Sequence, residues 1–306
     1  MRILISTILV LVCLSSFSQT LSSQIDKLQS IKEVERFYFE QDLLDYSKVY
    51  AIGKENIDSI CKHSSTFLAL RDSLGIQEDF IKHDFDGNGH TDLLFSYNWN
   101  LYDDKFWNYA VAQFSYESDS SKRFNIIPGP YLDCLIPDMK SDSLIDIYYI
   151  IKESGRLSKS LKVRKHVFIY KFDAFIEYNP SPKSYEIEKI ELGVRYYGKS
   201  QISNKLKAKR SLRKFEGNRL VRVKDKASIP LKNFQELCRL LSYADFENLE
   251  DDYLNMYATG DTYYELKILY NGGQEKSIVF NDNIGPASLH LIRQKIGDLL
   301  SKLDWK

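Results

Sequence analysis

Neither sign of charge prevails along this chain. Its 42 Lys and Arg stand against 42 Asp and Glu, so net charge gives no reason to expect a nucleic acid or an anionic membrane as partner. The usual catalytic signatures are missing as well. None of His63, His83, His90, His166 and His290 belongs to an H-E-x-x-H motif or to an i, i+4 pair, and no G-x-S-x-G elbow, P-loop or dinucleotide fingerprint occurs. Adjacent acids such as Asp103-Asp104 and Asp251-Asp252 fall in expected loops, where carboxylates are ordinarily solvated. After the first fourteen residues no apolar run approaches the length of a transmembrane helix. The sequence thus assigns no catalytic and no cofactor-binding residue.

What the chain does have is apolar and aromatic mass. With 306 residues, 43% of them hydrophobic, it is long enough for two cores, and 21 Tyr and 17 Phe favour half-buried pleated surfaces over helical bundles. Met1 and Arg2, an apolar run from Ile3 to Leu14, and the small residues Ser16 and Ser18 form the pattern of a cleavable export signal over residues 1–18. The mature chain is expected to begin at Gln19 and to be secreted or periplasmic. Lipid anchoring through Cys13 is the alternative, disfavoured because Val12 is larger than the small residue an acylated cysteine requires before it. Cys61, Cys134 and Cys238 then remain, widely spaced, with no C-x-x-C unit or zinc-ligand rhythm; three cannot all pair, so at least one is a free thiol.

Ile31, Val34, Phe37, Tyr38, Leu43 and Leu44 recur at helical spacing, predicting one or two helices from Ser30 to about Ala51. Shorter helices are expected over Lys54–Cys61 and Ser65–Leu74, the latter closed by Gly75. The period then changes to that of strands, at Ile76–His83, Leu93–Asn98, Asn108–Tyr116, Lys122–Ile127, Ile145–Ile151, Val163–Tyr170 and Phe172–Tyr178. Asn179-Pro180-Ser181-Pro182 marks a boundary, because two prolines interrupt both helix and ladder. Beyond it the pattern predicts strands at Tyr185–Tyr197 and Leu220–Val223, a helix after Pro230, a hairpin around Asn271-Gly272-Gly273 and a last helix after Pro286. The expected fold class is α+β: helices and a mainly antiparallel sheet over residues 24–180, then a smaller ββ-α-ββ-α domain over 185–306.

The C-terminal region resembles a family of bacterial exported domains, the domain-of-unknown-function family six-four-three-eight. The resemblance rests on Asp245-Phe246, Asp252-Tyr253, the hairpin from Tyr264 to Gly273, the Gly285-Pro286 helix start and the closing Leu303-Asp304-Trp305. It implies a fold for about a third of the chain and no activity.

One string carries chemistry, Asp84-Phe85-Asp86-Gly87-Asn88-Gly89-His90-Thr91-Asp92. Asp84, Asp86 and Asn88 occupy positions one, three and five of a calcium loop, the carbonyl of His90 serves position seven and Asp92 position nine. Phe95 stands where an EF-hand has its bidentate Glu, and strand formers follow. The loop therefore resembles the calcium loops of integrin-type repeats and related secreted β-proteins, although it occurs once and not as an array. A structural calcium ion is the expected cofactor.

Two further features are weighed as binding surfaces. Eleven basic residues between Lys199 and Lys226 meet only Glu216 and Asp225, which reads as a solvated connection with few aromatic residues or as an anion-binding strip. Tyr97, Trp99, Tyr102, Phe106, Trp107 and Tyr109 read as strand packing with about half of the rings in a core, or as a sugar-stacking face. The combination of an export signal with a metal loop and no catalytic partners points to a non-enzymatic binding or interaction protein. Its partner is an unidentified extracellular or cell-envelope ligand, nucleic acid is not expected, and no transmembrane helix remains after processing. The other reading is an extracellular hydrolase acting on a polymer.

Overall fold

The structure is a computed structural model that describes residues 21–40, 49–54, 64–102, 105–115, 121–125, 134–141, 143–152, 161–194, 198–216, 219–254, 262–281 and 285–306. The expected leader with Cys13, the helix expected over Lys54–Cys61 apart from its first residue, and Asp103-Asp104 lie outside them. The fold is α+β, with mainly antiparallel sheets, and it divides into two compact units, Met1–Asp173 and Ala174–Lys306. The two prolines of the expected boundary sit inside the second unit. There Asn179 is fixed to Tyr243, its N–H donating to the Tyr243 hydroxyl at 3.1 Å and its Nδ2 to the Tyr243 carbonyl at 2.8 Å.

In the first unit, helices α1 (Leu21–Asp26) and α2 (Ile31–Glu40) cover a sheet of β1 (Val49–Ala51), β2 (Phe80–His83), β3 (Asp92–Tyr102), β4 (Lys105–Ser115) and β5 (Ser121–Asn125). Helix α3 (Ser64–Leu74) precedes β2 and ends at Gly75, whose φ of 69° is the left-handed turn expected there. The helical stripe Ile25, Leu28, Ile31, Val34 and Tyr38 packs on the alternating residues Leu93, Phe95 and Tyr97 of β3, with Tyr38 edge-on to Phe95 at 5.0 Å. Helical periodicity misleads at one point: Val49–Ala51 pairs with Tyr97–Trp99 as a strand. Three apolar or small residues in a row fit either period when the segment is this short. Two side chains set the position of β2. Arg71, almost wholly buried, binds Asp79 at 2.6 Å and the carbonyl of Glu78 at 2.9 Å, and Lys82 donates to the carbonyls of Asp26 and Leu28, closing α1.

A second sheet in this unit runs β6 (Cys134–Ser141), β7 (Leu144–Lys152), β8 (Leu161–Lys171). It meets the face of the first sheet that the helices leave, where Phe114 lies 4.8 Å from Tyr170. Strand β3 is consequently buried on both faces, from Asp92 through Ser96.

The second unit contains β9 (Ala174–Glu177) and a seven-stranded sheet. Its strands are β10 (Ile187–Val194), β11 (Gly198–Ser203), β12 (Lys207–Glu216), β13 (Arg219–Ser228), β14 (Asp252–Tyr253), β15 (Tyr263–Tyr270) and β16 (Gln274–Asn281), in the order β13-β12-β11-β10-β15-β16-β14. The stretch between Lys199 and Lys226 thus lies mostly in three paired strands, where a solvated connection is the plainer expectation from sequence. Helices α4 (Leu231–Tyr243) and α5 (Ala287–Ser301) follow Pro230 and Pro286 as expected. A single 3₁₀ turn, Phe246–Asn248, buries Phe246 between Tyr185 and Tyr270 at ring distances of 4.7 and 4.9 Å. The Asn271-Gly272-Gly273 turn joins β15 to β16 with positive φ at all three residues.

Pro286 offers no side-chain cap, and the first N–H groups of α5 are satisfied from 110 residues away. Ala287 N donates to Glu177 Oε1 at 2.6 Å and Ser288 N to Oε2 at 3.0 Å. A carboxylate there also faces the positive end of the helix dipole. Glu177→Ala is expected to cost about 1–2 kcal/mol, and Glu177→Gln less because one amide oxygen still accepts. Urea unfolding measures both; equal midpoints for wild type and Glu177→Ala would show that the cap contributes nothing.

Candidate metal centre

The Asp84–Asp92 string forms the turn between β2 and β3, whose register brings His83 opposite Asp92. Gly87 and Gly89 have φ of 74° and 85°, while an added Cβ would meet nothing within 4 Å at either. Glycine is needed there for backbone conformation and not for space. The tight turn brings one oxygen each of Asp84, Asp86 and Asp92 within 4.8 Å of one another.

The neighbouring N–H groups converge on the same carboxylates. Asp84 accepts from Asn88 N at 3.0 Å and Gly89 N at 2.8 Å, and Asp86 accepts from Asn88 N at 3.2 Å. Asp92 has no exposed surface; its Oδ2 accepts from Phe85 N at 3.0 Å and its Oδ1 from Ser115 N at 2.8 Å. Burial pushes the Asp92 carboxyl up to about 7, against the lowering effect of the Ser115 and Phe85 N–H groups and with a further rise from Asp86 and Asp84. Asp86 is raised too, first by desolvation, opposed by the Asn88 N–H, with Asp84 adding to the rise.

Asn88 and His90 take different places from the three acids. Asn88 Nδ2 donates to Asp86 Oδ2 at 3.2 Å and to the Ser115 carbonyl at 2.8 Å, while its Oδ1 accepts from His90 N at 2.8 Å. Asn88 is therefore a brace between the loop and β4 as well as a candidate oxygen ligand. His90 meets the loop through its backbone N–H on Asn88 Oδ1, and the ring of His83 lies against Phe85 at 5.3 Å. Sequence reading missed Ser115. Its N–H holds Asp92, its carbonyl holds Asn88 and its Oγ donates to the Thr91 carbonyl at 2.7 Å. A serine 23 residues beyond Asp92 carries no local signal for these roles; only the β3–β4 pairing could have suggested them.

Chemically the arrangement presents hard, negatively charged oxygens on a loop whose ends are fixed by two strands. This suits a divalent cation of calcium's size and coordination habit. Elsewhere, Tyr97 is buried on β3, and the register sets Trp99 opposite Trp107 on β4. The thiol of Cys238 is free, half-buried and pushed up to about 11 by desolvation, which marks it as unreactive. Asp251 is exposed and bound by Lys276 at 2.6 Å. No described helix is long and apolar enough to cross a membrane.

The raised Asp92 value fixes the sign of a pH effect. The folded chain holds this proton more tightly than the unfolded chain, whose ordinary value is 3.8. In chelator, the Asp92 contribution is therefore fully present below about pH 3.8 and is lost as pH rises towards 7. Asp92→Asn should remove this part of the slope while lowering overall stability, since its amide sets an N–H donor against one of two N–H donors. Denaturation midpoints from pH 4 to 8 test it; parallel slopes for the two proteins would exclude the assignment to Asp92.

No curated protein and no solved structure matches the chain. The resemblance read in the C-terminal region is borne out: residues 195–300, from just before β11 to the last turn of α5, match the family described as Domain of unknown function (DUF6438).

Proposed function

We propose that this is an exported, non-enzymatic binding or interaction protein, secreted or periplasmic, whose Asp84–Asp92 loop takes up a calcium ion that stabilises the fold. The observation that carries the reading is the convergence of three carboxylates within 4.8 Å, one of them the wholly buried Asp92. Three like charges in that space repel one another, and a divalent cation removes the repulsion. The gain would be transmitted structurally, because Asp92 is the first residue of β3 and is tied through Ser115 to the end of β4. The likeness to secreted calcium loops and the leader pattern support export together, since calcium outside the cytoplasm is plentiful enough to fill a site of about millimolar affinity.

Thermal unfolding of the exported chain, with its mass checked for a start at Gln19, tests this reading in calcium and in chelator. Calcium at about a hundredfold over the dissociation constant should add about 2.7 kcal/mol. Asp86→Ala should remove most of that increment by deleting a ligand, whereas Thr91→Ala, which leaves the backbone carbonyl in place, should retain it. An unchanged midpoint in calcium, with no heat of binding, would reduce the loop to an Asx-rich turn.

A further inference from the structure

The seven-stranded sheet of the second unit has two unlike faces. Ile190, Leu192, Ile202, Ala208, Leu266, Ile268, Ile278 and Phe280 are buried on one, where Phe280 meets His290 of α5 and Tyr264 meets Arg293. The alternate residues form the other face, and the register aligns them in rows across the strands. Lys226, Lys209, Gln201, Glu191 and Lys267 make one row; Lys224, Ser211, Lys199, Gly193 and Glu265 make the next. Arg222, Lys224, Lys226, Lys209 and Lys199 are all exposed. Among the described residues, β11, β12 and β13 place no carboxylate on this face. Asp225 alternates to the opposite side, bound to Arg210 at 2.6 Å, and that guanidinium stacks on Trp305 at 4.2 Å.

Two adjoining hollows lie along these rows. The larger, about 520 Å³, is lined by Gly193, Gly198 and Ser211 and by Lys199, Arg222 and Tyr263. The smaller, about 320 Å³, shares Glu191, Lys199 and Ser211 with it and continues to Gln201, Lys209, Lys224 and Lys226; Arg210 and Asp225, whose side chains alternate to the other face, also border it. The close approach of β11 to β12 depends on Gly198, where φ is 134° and a Cβ would come within 2.1 Å of the Ser211 carbonyl oxygen. Small residues thus keep the centre of the face low while long cationic side chains stand around it. From β15 to β13 the hollows cross five strands, roughly 19 Å at the usual strand spacing.

We propose that this groove binds an acidic polysaccharide, its carboxylates or sulfates meeting the lysines and Arg222 and its hydroxyl groups meeting the remaining polar side chains. This names a partner for the binding reading above and rests on it. The charge arrangement separates a sugar acid from a nucleic acid. Glu191 and Glu265, held by Lys199 at 3.1 Å and Lys267 at 2.9 Å, keep lone pairs that accept hydrogen bonds from hydroxyl groups but repel a continuous line of phosphates. Among the described residues, Tyr263 and Tyr264 line the larger hollow, and the Tyr264 ring is turned to Phe280 and Arg293 on the buried face; this leaves Tyr263 where a single-stranded nucleic acid would want a series of stacking rings.

The test is a titration of the full mature chain with polygalacturonate, in chelator so that calcium neither gels the polymer nor fills the loop. Binding is expected to weaken steeply with added salt and to be absent with neutral dextran. The Lys209→Gln, Lys224→Gln double variant should bind about tenfold more weakly at an unchanged thermal midpoint. Equal affinity of this variant and wild type, equal binding of dextran, or tighter binding of single-stranded DNA or polyphosphate than of polygalacturonate would each overturn the proposal. A chain that binds the polymer but ignores calcium would fail the loop reading alone. A chain stabilised by calcium that ignores the polymer would fail this inference alone.

Discussion

Asp92 is a carboxylate without exposed surface at the junction of three structures: the end of the loop, the start of β3 and the end of β4. Its two oxygens are divided between Phe85 N, which starts the loop, and Ser115 N, which ends β4. A buried charge is tolerated only when paired, hydrogen-bonded, neutralised by a proton or bound to a cation. Two N–H donors meet part of that need. The proton held up to about pH 7 meets more of it, and a cation shared with Asp84 and Asp86 would satisfy it without protonation. Because β3 is buried on both faces and carries Leu93, Phe95 and Tyr97 against the helices, the state of this one carboxylate bears on the packing of the whole first unit.

The second unit meets its constraints differently. Its sheet buries apolar residues on one face only, so the other is open to carry a pattern of charges that does no packing work. Long-range capping, such as Glu177 on α5, and the enclosure of Phe246 by Tyr185 and Tyr270 fix the buried side. The exposed side is then an array in which the attachment points of the cationic side chains are set by strand spacing. That spacing is what a repeating anionic ligand would meet.

Legibility from sequence followed the range of the interactions. The β15–β16 turn, the helices after Pro230 and Pro286 and the Asp84–Asp92 loop were readable because the residues that define them are neighbours in the chain. Strands β11 and β12 were not, and β13 only over Leu220–Val223, because basic side chains fill the open face and the buried face supplies few large apolar residues to mark the alternation, Ala208 among them. Strand β6 was hidden by Pro137, which the structure accommodates on an edge strand opposite Ile147. The Ser115 clamp and the Glu177 cap span 23 and 110 residues and leave no local trace.

A cation bound at the buried Asp92 would show itself in a crystal structure grown in millimolar calcium. One ion is expected there, with oxygens of Asp84, Asp86, Asn88 and Asp92 and the His90 carbonyl at about 2.3–2.6 Å, the Asn88 amide having turned its Oδ1 inward. Density for water or nothing at that point, with Asn88 Oδ1 still on His90 N and Asp92 still shared only between Phe85 and Ser115, would contradict it.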